Sequence, residues 1–409
     1  MISIGAEIGI NCKILPIFVF SNHRKVKVLF ICNNDPYAKG NGLCTAVKLT
    51  IKHLRERGVE TRLVSMVSPS HDGPQPEYPL QRFIFPVFQP LIDANCFCFA
   101  KLDKAVVSEA VAWADVIHIE EPFPVQIYAI KEAERMGKPI VASFHMFTDN
   151  IFYNVRMGWC GFGNRMLMNF WKKHVYDHCS HIHCPSKTVE DLLGSYGFKA
   201  DLRAFSNGVI VRPDRLENTA APKAPYQILS IGRFSPEKNQ ILLLKAMRYS
   251  RHSKEIQLSF AGFGNLLKSF EKEGDKLLAD GVLNYRPHFG FYKFEHLSKI
   301  ISESYLYYHG AVVEVEGLSC LEALRGGAVP VIADAPLAAT KDFALVPESL
   351  FKSGDPQDLA RKIDWWIEHP DEHAEYVGRY AALVSKYNIQ SSIDSMIEMY
   401  SDAIRSARK

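Results

Sequence analysis

Residues 305–332 read YLYYHGAVVEVEGLSCLEALRGGAVPVI, and this stretch decides the fold. The apolar run at 305–308 predicts a buried strand, and a glycine-bearing loop follows it. We expect Ser319 to open a short helix that ends at the glycine pair 326–327, before a second strand at 329–332. The stretch therefore predicts a strand, loop, helix and strand unit.

Two carboxylates flank the start of this predicted helix, Glu314 on the loop and Glu322 in the helix. Gly317 precedes the helix N-terminus, where the free amides of Leu318 and Ser319 and the helix dipole favour an anion such as a diphosphate. Carboxylates beside it suit a ribose and a hexose, because they accept hydrogen bonds from hydroxyl groups. A second interpretation needs no ligand: Ser319 and Glu322 form an S-x-x-E capping box, and Glu314 is a solvated loop carboxylate.

A second element lies upstream, at residues 226–247, and reads YQILSIGRFSPEKNQILLLKAM. A strand at 227–231 leads to Gly232 and Arg233, and we expect Lys238 and Asn239 to open a helix. Cations on both sides of such a turn suit a diphosphate, since Arg233 is a forked donor and Lys238 a point charge. Taken alone, the same two side chains also fit ordinary surface cations.

Together the two elements resemble the family 4 retaining glycosyltransferases of the GT-B fold. In that family, an E-x7-E motif and a G-R-x(4)-K-N motif build the nucleotide-sugar site. The matching residues here are Glu314, Gly317 and Glu322 for the first motif, and Gly232, Arg233, Lys238 and Asn239 for the second. The resemblance implies an α/β protein with two Rossmann-like domains facing a cleft, the donor mostly on the second domain and the acceptor mostly on the first.

The resemblance also implies a division of the chain. An N-terminal extension, 1–25, precedes an acceptor domain at 26–212 and a nucleotide-sugar domain at 213–388, and a C-terminal helix at 389–409 crosses back to the first domain. The charged stretch rich in alanine and proline at 213–225 predicts the linker. The apolar patch in the extension is short and interrupted by charges, so we expect neither a signal peptide nor an anchor.

Composition agrees with a two-domain enzyme. The 409 residues are 47% hydrophobic and 23% charged, and no apolar run reaches the roughly 18 residues of a membrane span. Nine cysteines without a C-x-x-C pair predict a reduced, cytoplasmic compartment. Residues 1–222 carry 25 Lys and Arg against 21 Asp and Glu (+4), and the remainder carries 23 against 24 (−1). This charge is too weak for nucleic acid but suits the cytoplasmic face of an anionic membrane, with the protein bound peripherally.

Side chains that follow strands of the first domain supply further candidates. His145 ends the strand predicted at 139–144, where ligands gather in a parallel sheet, and the family has a histidine at the matching position. Asp149 and Asn150 follow and either contact the acceptor or cap a helix. Gly42, after the first predicted strand, is the candidate for close approach to the donor, although it also fits a plain turn.

Residues 151–179 are rich in Phe, Trp, Met and basic side chains. A helix with an apolar side and a cationic end is predicted here. Its apolar residues are Met166, Leu167, Met168, Phe170 and Trp171, and its basic residues are Arg165, Lys172, Lys173 and His174. The commonest explanation is core packing with snorkelling cations, and the alternative is a helix that faces a membrane.

The expected chemistry follows from charge development. Breaking a glycosyl–diphosphate bond builds negative charge on the leaving oxygens, which Arg233, Lys238 and the amides of the helix N-terminus stabilise. The resemblance implies that the anomeric configuration is retained, that Glu314 holds the sugar and that Glu322 holds the ribose. His145 completes the expected catalytic set. The chain has no Asp-x-Asp pair, so we expect no metal and no further cofactor.

The acceptor is suggested by resemblance alone. The stretches EEPFP at 120–124 and FHMFTDN at 144–150 look similar to bacterial transferases that glycosylate diacylglycerol or related lipids, with ceramide as a variant. The expected enzyme therefore moves glucose or galactose from a UDP-sugar to a membrane lipid. The resemblance also puts Phe289 and Gly290 near the nucleobase. A soluble or polysaccharide-precursor acceptor, a nucleotide-sugar epimerase of the same fold and a non-catalytic binding protein remain open.

Overall fold

The computed structural model describes residues 25–38, 42–86, 89, 98–155, 157–210, 223–292 and 294–408. Residues 1–24 of the expected N-terminal extension and residues 213–222 of the expected linker lie outside these ranges.

The strands of the first domain are mostly short, apolar and buried, as strands covered on both faces must be. They are β1 Lys27–Ile31, β2 Glu60–Met66, β3 Tyr78–Leu80, β4 Arg82–Phe83, β5 Phe99–Ala100, β6 Val116–Ile119, β7 Ile140–Ser143, β8 His181–Cys184 and β9 Asp201–Ala204. Among the described residues, seven of them form a parallel sheet in the order β3-β2-β1-β6-β7-β8-β9. The carboxyl ends of these strands therefore meet at one edge.

Helices alternate with these strands. They are α1 Gly42–Glu56, α2 Lys104–Trp113, α3 Pro124–Arg135, α4 Thr148–Asn154, α5 Gly161–His174 and α6 Lys187–Ser195. Local sequence explains several of their starts: Asp103 accepts hydrogen bonds from two amides in the first turn of α2, and α3 begins at a proline.

The second domain repeats this alternation. Its strands are β10 Tyr226–Ile231, β11 Ile256–Ala261, β12 His288–Gly290, β13 Leu306–His309, β14 Val313–Glu314, β15 Val329–Asp334, β16 Leu337–Ala338 and β17 Leu350–Lys352. Its helices are α7 Ile241–Ala246, α8 Leu267–Ala279, α9 Phe294–Ser302, α10 Leu318–Arg325, α11 Pro356–Glu368 and α12 Pro370–Val384. In the described part of the domain, a six-stranded parallel sheet has the order β12-β11-β10-β13-β15-β17.

The last helix, α13 Ile389–Ala407, packs on the sheet of the first domain. Ile393, Met399 and Tyr400 share a buried cluster with Val28 and Phe30 of β1. The chain thus enters the second domain and returns to the first.

Helix α5 differs from the commonest expectation for it. Within α5 only Met168 and Trp171 are buried, whereas Phe162, Met166 and Phe170 are 81%, 62% and 47% exposed. Trp159, just before the helix, is 81% exposed. Core packing is therefore correct for Leu167, Met168 and Trp171, which pack into the first domain, and wrong for Met166 and Phe170. We call Trp159, Phe162, Met166 and Phe170 the aromatic face. None of the helices in the described ranges has the length and hydropathy needed to span a bilayer.

Candidate active site

A cavity of about 330 Å³ lies between the two domains. Residues at the carboxyl ends of the strands line it. Ile231 ends β10 and Ala261 ends β11, while Glu121 follows β6 and His145 follows β7. Ligand sites are expected at such carboxyl ends of parallel strands.

Most of the residues singled out in the sequence line this cavity. They are Gly42, His145, Asn150, Gly232, Arg233, Lys238, Glu314, Gly317, Leu318, Ser319 and Glu322. The structure therefore brings the two second-domain motifs together with the strand-end histidine of the first domain.

Phe289 and Gly290 do not line the cavity. The Phe289 ring stacks on Phe260 with centroids 5.0 Å apart, and the Gly290 carbonyl accepts a hydrogen bond from the Gly262 amide at 2.7 Å. The sequence of 285–291 also predicts a strand, but the structure has only the short β12, which ends at Gly290. Phe291 and Tyr292, directly after it, line the cavity instead.

Asn239 and Asp149 also lie outside the cavity wall. Lys238 ends a 3-10 turn, Pro236–Lys238, and Asn239 has a left-handed φ of 50° before α7 begins at Ile241, so this pair does not open the helix as expected. The Asn239 carbonyl accepts a hydrogen bond from the Tyr308 hydroxyl at 2.9 Å. Asp149 lies in the first turn of α4. Asn150 fits both expected roles, contact with the acceptor and helix capping. It lines the cavity, and its Oδ1 accepts a hydrogen bond from the Phe147 amide at 3.1 Å.

Glu314 is the centre of a charged cluster on the second domain. Lys238 Nζ donates a hydrogen bond to Glu314 Oε2, and His309 Nε2 lies 3.5 Å from the same oxygen. Burial raises the pKa of Glu314, but Lys238 and His309 outweigh it and hold the pKa at about 2. Glu314 is therefore ionised over the whole physiological range and aims a fixed carboxylate at the cavity.

Arg233 is held by a different carboxylate. Its Nη2 donates to Glu237 Oε1 at 2.9 Å, and the Glu237 side chain is fully buried. Gln240 Nε2 donates to the Arg233 carbonyl at 2.9 Å and fixes the backbone of the turn. The guanidinium is thus positioned beside Lys238 in the wall, as a diphosphate site requires.

The start of α10 is built by Gly317 rather than by a capping box. Gly317 has φ +89°, and a Cβ there would lie 2.1 Å from Thr340 Cγ2. The helix begins at Leu318 with no side-chain cap, and the Ser319 hydroxyl instead accepts a hydrogen bond from the Tyr307 hydroxyl at 3.1 Å. The capping-box interpretation is therefore wrong, and Gly317, Leu318 and Ser319 at the start of α10 line the cavity. Burial raises the pKa of Glu322, which lies one turn into the helix.

His145 is oriented by a carboxylate that the sequence analysis did not single out. His145 Nε2 lies 2.7 Å from Glu120 Oε2, and both side chains are almost fully buried. Burial raises the pKa of Glu120, but the neighbouring His118 and His145 rings lower it by more, so the pKa lies below its ordinary value. Behind this pair, Ser143 Oγ lies 2.8 Å from His118 Nε2 and joins β7 to β6. The imidazole at the cavity is thus fixed by buried polar groups.

Glu121 and Glu316 are further residues that sequence reasoning missed. Both are 2% exposed and both line the cavity. The signals were available: Glu121 follows β6 at the same sheet edge as His145, and Glu316 lies inside the motif that begins at Glu314. Burial raises the pKa of each to about 7, despite the groups that donate hydrogen bonds to them.

Glu316 joins the loop before α10 to the end of the first domain. Its carboxylate accepts hydrogen bonds from the Asn207 amide at 3.0 Å, from Asn207 Nδ2 at 2.6 Å and from Ser206 Oγ. Nearby, Ser186 Oγ donates to the Val315 carbonyl at 2.6 Å. These contacts hold the loop before α10 against the first domain and so close the cavity on that side.

We expect Glu316 to make the stability of this contact depend on pH. Its pKa is about 7 in the folded protein against an ordinary 4.5, so its contribution to stability is fully present below about pH 4.5 and is lost as the pH rises through about 7. The full loss is about 3 kcal/mol. The change in calorimetric Tm between pH 5 and pH 8 should therefore be several degrees smaller for Glu316→Gln than for the natural protein. An equal pH dependence in the two proteins would contradict this.

The two walls of the cavity differ in chemistry. The second domain offers two cations and the first-turn amides of α10, which suit a diphosphate, and carboxylates that suit sugar hydroxyl groups. The first domain offers one carboxylate, side-chain amides and an imidazole. Within the described residues, no group of three or more His, Cys, Asp or Glu side chains is arranged to hold a metal ion.

Two parallel-sheet α/β domains that face such a cavity define the class of glycosyltransferases with the GT-B fold. Residues 40–212 match the family described as Glycosyltransferase Family 4, and residues 211–384 match Glycosyl transferases group 1. The chain belongs to the family 4 glycosyltransferases, and the expected family and fold class are confirmed.

Known relatives include enzymes that act on lipids. The chain is 25% identical over 260 residues to Alpha-monoglucosyldiacylglycerol synthase from Streptococcus pneumoniae, a match that covers 58% of this chain and 55% of that enzyme, about half its length. It is 40% identical to the catalytic domain of cholesterol-alpha-glucosyltransferase from Helicobacter pylori, over 40% of this chain and 99% of that one, with a TM-score of 0.37.

A whole-chain likeness is seen in a solved structure. HepE from Anabaena, in complex with UDP-glucose, has a TM-score of 0.66 at 17% identity and covers 92% of this chain and 99% of its own. At this identity the likeness shows a shared fold.

Proposed function

We propose that this protein transfers a hexose from a UDP-sugar to the hydroxyl group of a membrane lipid, with retention of the anomeric configuration and without a metal ion. The observation that carries the proposal is the single cavity in which Lys238 and Glu314 of the second domain face His145 of the first. A nucleotide-sugar donor and an alcohol acceptor need two such different walls.

The donor part rests on charge. The bond from the anomeric carbon to the diphosphate breaks as the acceptor oxygen bonds to that carbon, and the acceptor proton passes to a leaving phosphate oxygen. The negative charge that develops on the leaving oxygens is stabilised by Arg233, Lys238 and the α10 amides. Lys238 also contacts Glu314, so one cation links the diphosphate to the carboxylate that holds the sugar. Glu322, one turn into α10, is the partner for the ribose hydroxyl groups. Binding of UDP-glucose by HepE, which shares the fold, supports UDP as the nucleotide.

The lipid part rests on the surface next to the cavity. Helix α4 supplies Asn150 to the wall, and α5 packs on α4, with Gly163 lying against the Phe152 ring. The aromatic face on α5 therefore lies one helix away from the acceptor side. Arg165 and Lys173 are exposed on the same helix and suit an anionic lipid surface. The diacylglycerol synthase relative supports a lipid acceptor.

Retention and metal independence are supported by the sequence. The E-x7-E and G-R-x(4)-K-N motifs are those of a retaining family, and the chain has no Asp-x-Asp pair for a bridging Mg²⁺ or Mn²⁺. In this protein Arg233 and Lys238 stabilise the negative charge that a bound metal ion stabilises in metal-dependent transferases.

Release of UDP tests the proposal directly. UDP-glucose and UDP-galactose are incubated with detergent-dispersed diacylglycerol, ceramide or a sterol, in the presence of EDTA, and the anomeric proton coupling of the product is read by NMR. Lipid-dependent release that EDTA does not change, with an α-linked product, is the expected result.

Other outcomes identify what is wrong. Release that depends only on a soluble sugar or glycan would leave the donor site in place and overturn the lipid acceptor. Interconversion of the two UDP-sugars without any acceptor would indicate an epimerase. An effect of EDTA that Mg²⁺ reverses would overturn metal independence.

A further inference from the structure

Glu121 is a buried carboxylate that the donor site does not use. It follows β6 at the strand edge, is 2% exposed and lines the cavity from the first domain. Burying a carboxylate costs free energy unless other groups compensate for its lost hydration. A carboxylate in this place therefore needs both a structural explanation and a reason to face the cavity.

The structural explanation is a set of fixed donors. The Asn33 amide donates to Glu121 Oε2 at 2.5 Å, the Asn34 amide lies 3.4 Å from the same oxygen, and Asn34 Nδ2 donates to Oε1 at 2.5 Å. The Asn33 side chain is itself tied to the neighbouring segment, because it donates to the Cys98 carbonyl and accepts from the Ala100 amide. Glu121 is thus held rigidly.

All of these partners are donors, so they fix the plane of the carboxylate and partly offset the burial that raises its pKa to about 7. A carboxylate offers about four lone-pair positions, so the three contacts leave acceptor capacity on a residue that lines the cavity. A hydroxyl group fits this capacity, because it brings a hydrogen and no charge. A phosphate or carboxylate group fits it badly, because like charges repel strongly where water is excluded.

The other residues on the first-domain side of the cavity also favour an uncharged acceptor. Among the described residues, the first-domain side of the cavity carries neither Lys nor Arg. Its polar side chains are those of Asn34, Thr45, Glu121, His145, Asn150 and Asn207. Both cations of the described wall belong to the second domain, at Arg233 and Lys238. An anionic group is therefore accommodated on the donor side and disfavoured near Glu121.

We propose that Glu121 is a specificity-determining residue that binds a hydroxyl group of an uncharged alcohol acceptor and excludes acceptors with a phosphate next to that hydroxyl. The inference rests on the proposed function for the transfer reaction and names the acceptor class of the same site. In the lipid series it selects diacylglycerol over phosphatidylglycerol, whose free hydroxyl groups lie beside a phosphate.

The test compares the two acceptors in the full-length protein. The ratio of kcat/KM for diacylglycerol to that for phosphatidylglycerol is measured in non-ionic detergent micelles, for the natural protein, for Glu121→Gln and for Glu109→Gln. Glu109 is an exposed residue of α2 outside the cavity and serves as the matched control. Micelles remove the contribution of membrane docking from the comparison.

We expect Glu121→Gln to lower the ratio at least tenfold and Glu109→Gln to leave it unchanged, with UDP affinity, measured by calorimetry, equal in all three proteins. An unchanged ratio would overturn the inference. A loss of UDP affinity in Glu121→Gln in parallel with transfer would also overturn it, because Glu121 would then support the donor site or the fold. If the natural protein uses no lipid, the proposed function fails, and the same ratio is measured with glucose and glucose 6-phosphate, so that the role of Glu121 is still tested.

Discussion

Replacing Glu314 with Gln is expected to lower kcat/KM for hexose transfer by about 10²- to 10³-fold, because the carboxylate holds the sugar where positive charge develops at the anomeric carbon. The side chain is ionised at any working pH, since Lys238 and His309 hold the pKa of Glu314 at about 2. The loss should therefore be the same at pH 6 and at pH 8. A glutamine keeps the shape and a hydrogen-bond acceptor but removes the charge.

UDP binding separates this effect from damage to the fold. In the natural protein, Lys238 contacts Glu314, which partly neutralises the cation. Removing that negative charge should leave Lys238 freer to bind the diphosphate, so we expect UDP to bind Glu314→Gln at least as tightly as the natural protein, as measured by calorimetry. Glu303→Gln is the matched control, because Glu303 forms an exposed ion pair with Lys299 in the same domain. Equal losses of UDP binding and transfer in Glu314→Gln would show a structural role instead.

The sheet framework could be predicted from the sequence because strands buried on both faces appear as short apolar runs. The apolar runs at 116–119, 227–231 and 256–260 each predict a strand. The first is β6, and the other two differ from β10 and β11 by one residue. The shorter β12 could not be predicted in this way, because the chain at 285–291 continues to look apolar after Gly290, while Phe291 and Tyr292 have already turned into the cavity.

The partners of the site residues depended on the fold. Nothing in the order of residues indicates that Lys238 meets Glu314, since 76 positions separate them. The capping box at Ser319 is a sound local pattern, but Gly317 adopts a left-handed conformation that Thr340 packs against, and the serine turns to Tyr307. Local rules fail here because a tertiary contact supplies a different partner.

Helix α5 shows a third limit, since periodicity finds an apolar face but does not say what covers it. Met168 and Trp171 pack into the first domain, and the aromatic face points outwards. Large apolar side chains exposed together on one surface usually mark an interaction site. The exposed Arg165 and Lys173 next to them favour an anionic lipid surface over a neutral protein partner.

Removing the aromatic face with the triple change Phe162→Ser, Met166→Ser and Phe170→Ser is expected to lower co-sedimentation with phosphatidylglycerol-containing vesicles by about 100-fold, because burying each such side chain in the lipid interface contributes on the order of 1 to 2 kcal/mol. Transfer to diacylglycerol in those vesicles should fall in parallel. Transfer to the same lipid in detergent micelles should be retained, since none of the three residues lines the cavity. Tm should change little because all three are exposed.

The control for this change is Tyr249→Ser, which removes an aromatic side chain that is 51% exposed on the second domain. It should bind vesicles as the natural protein does. Binding by the natural protein should weaken with salt, since ions screen the attraction between Arg165, Lys173 and anionic headgroups. Vesicle binding that the triple change leaves intact would show that the membrane contact lies outside the aromatic face. Loss of activity in micelles as well would show that the aromatic face supports the acceptor site itself, and not only its access to the bilayer.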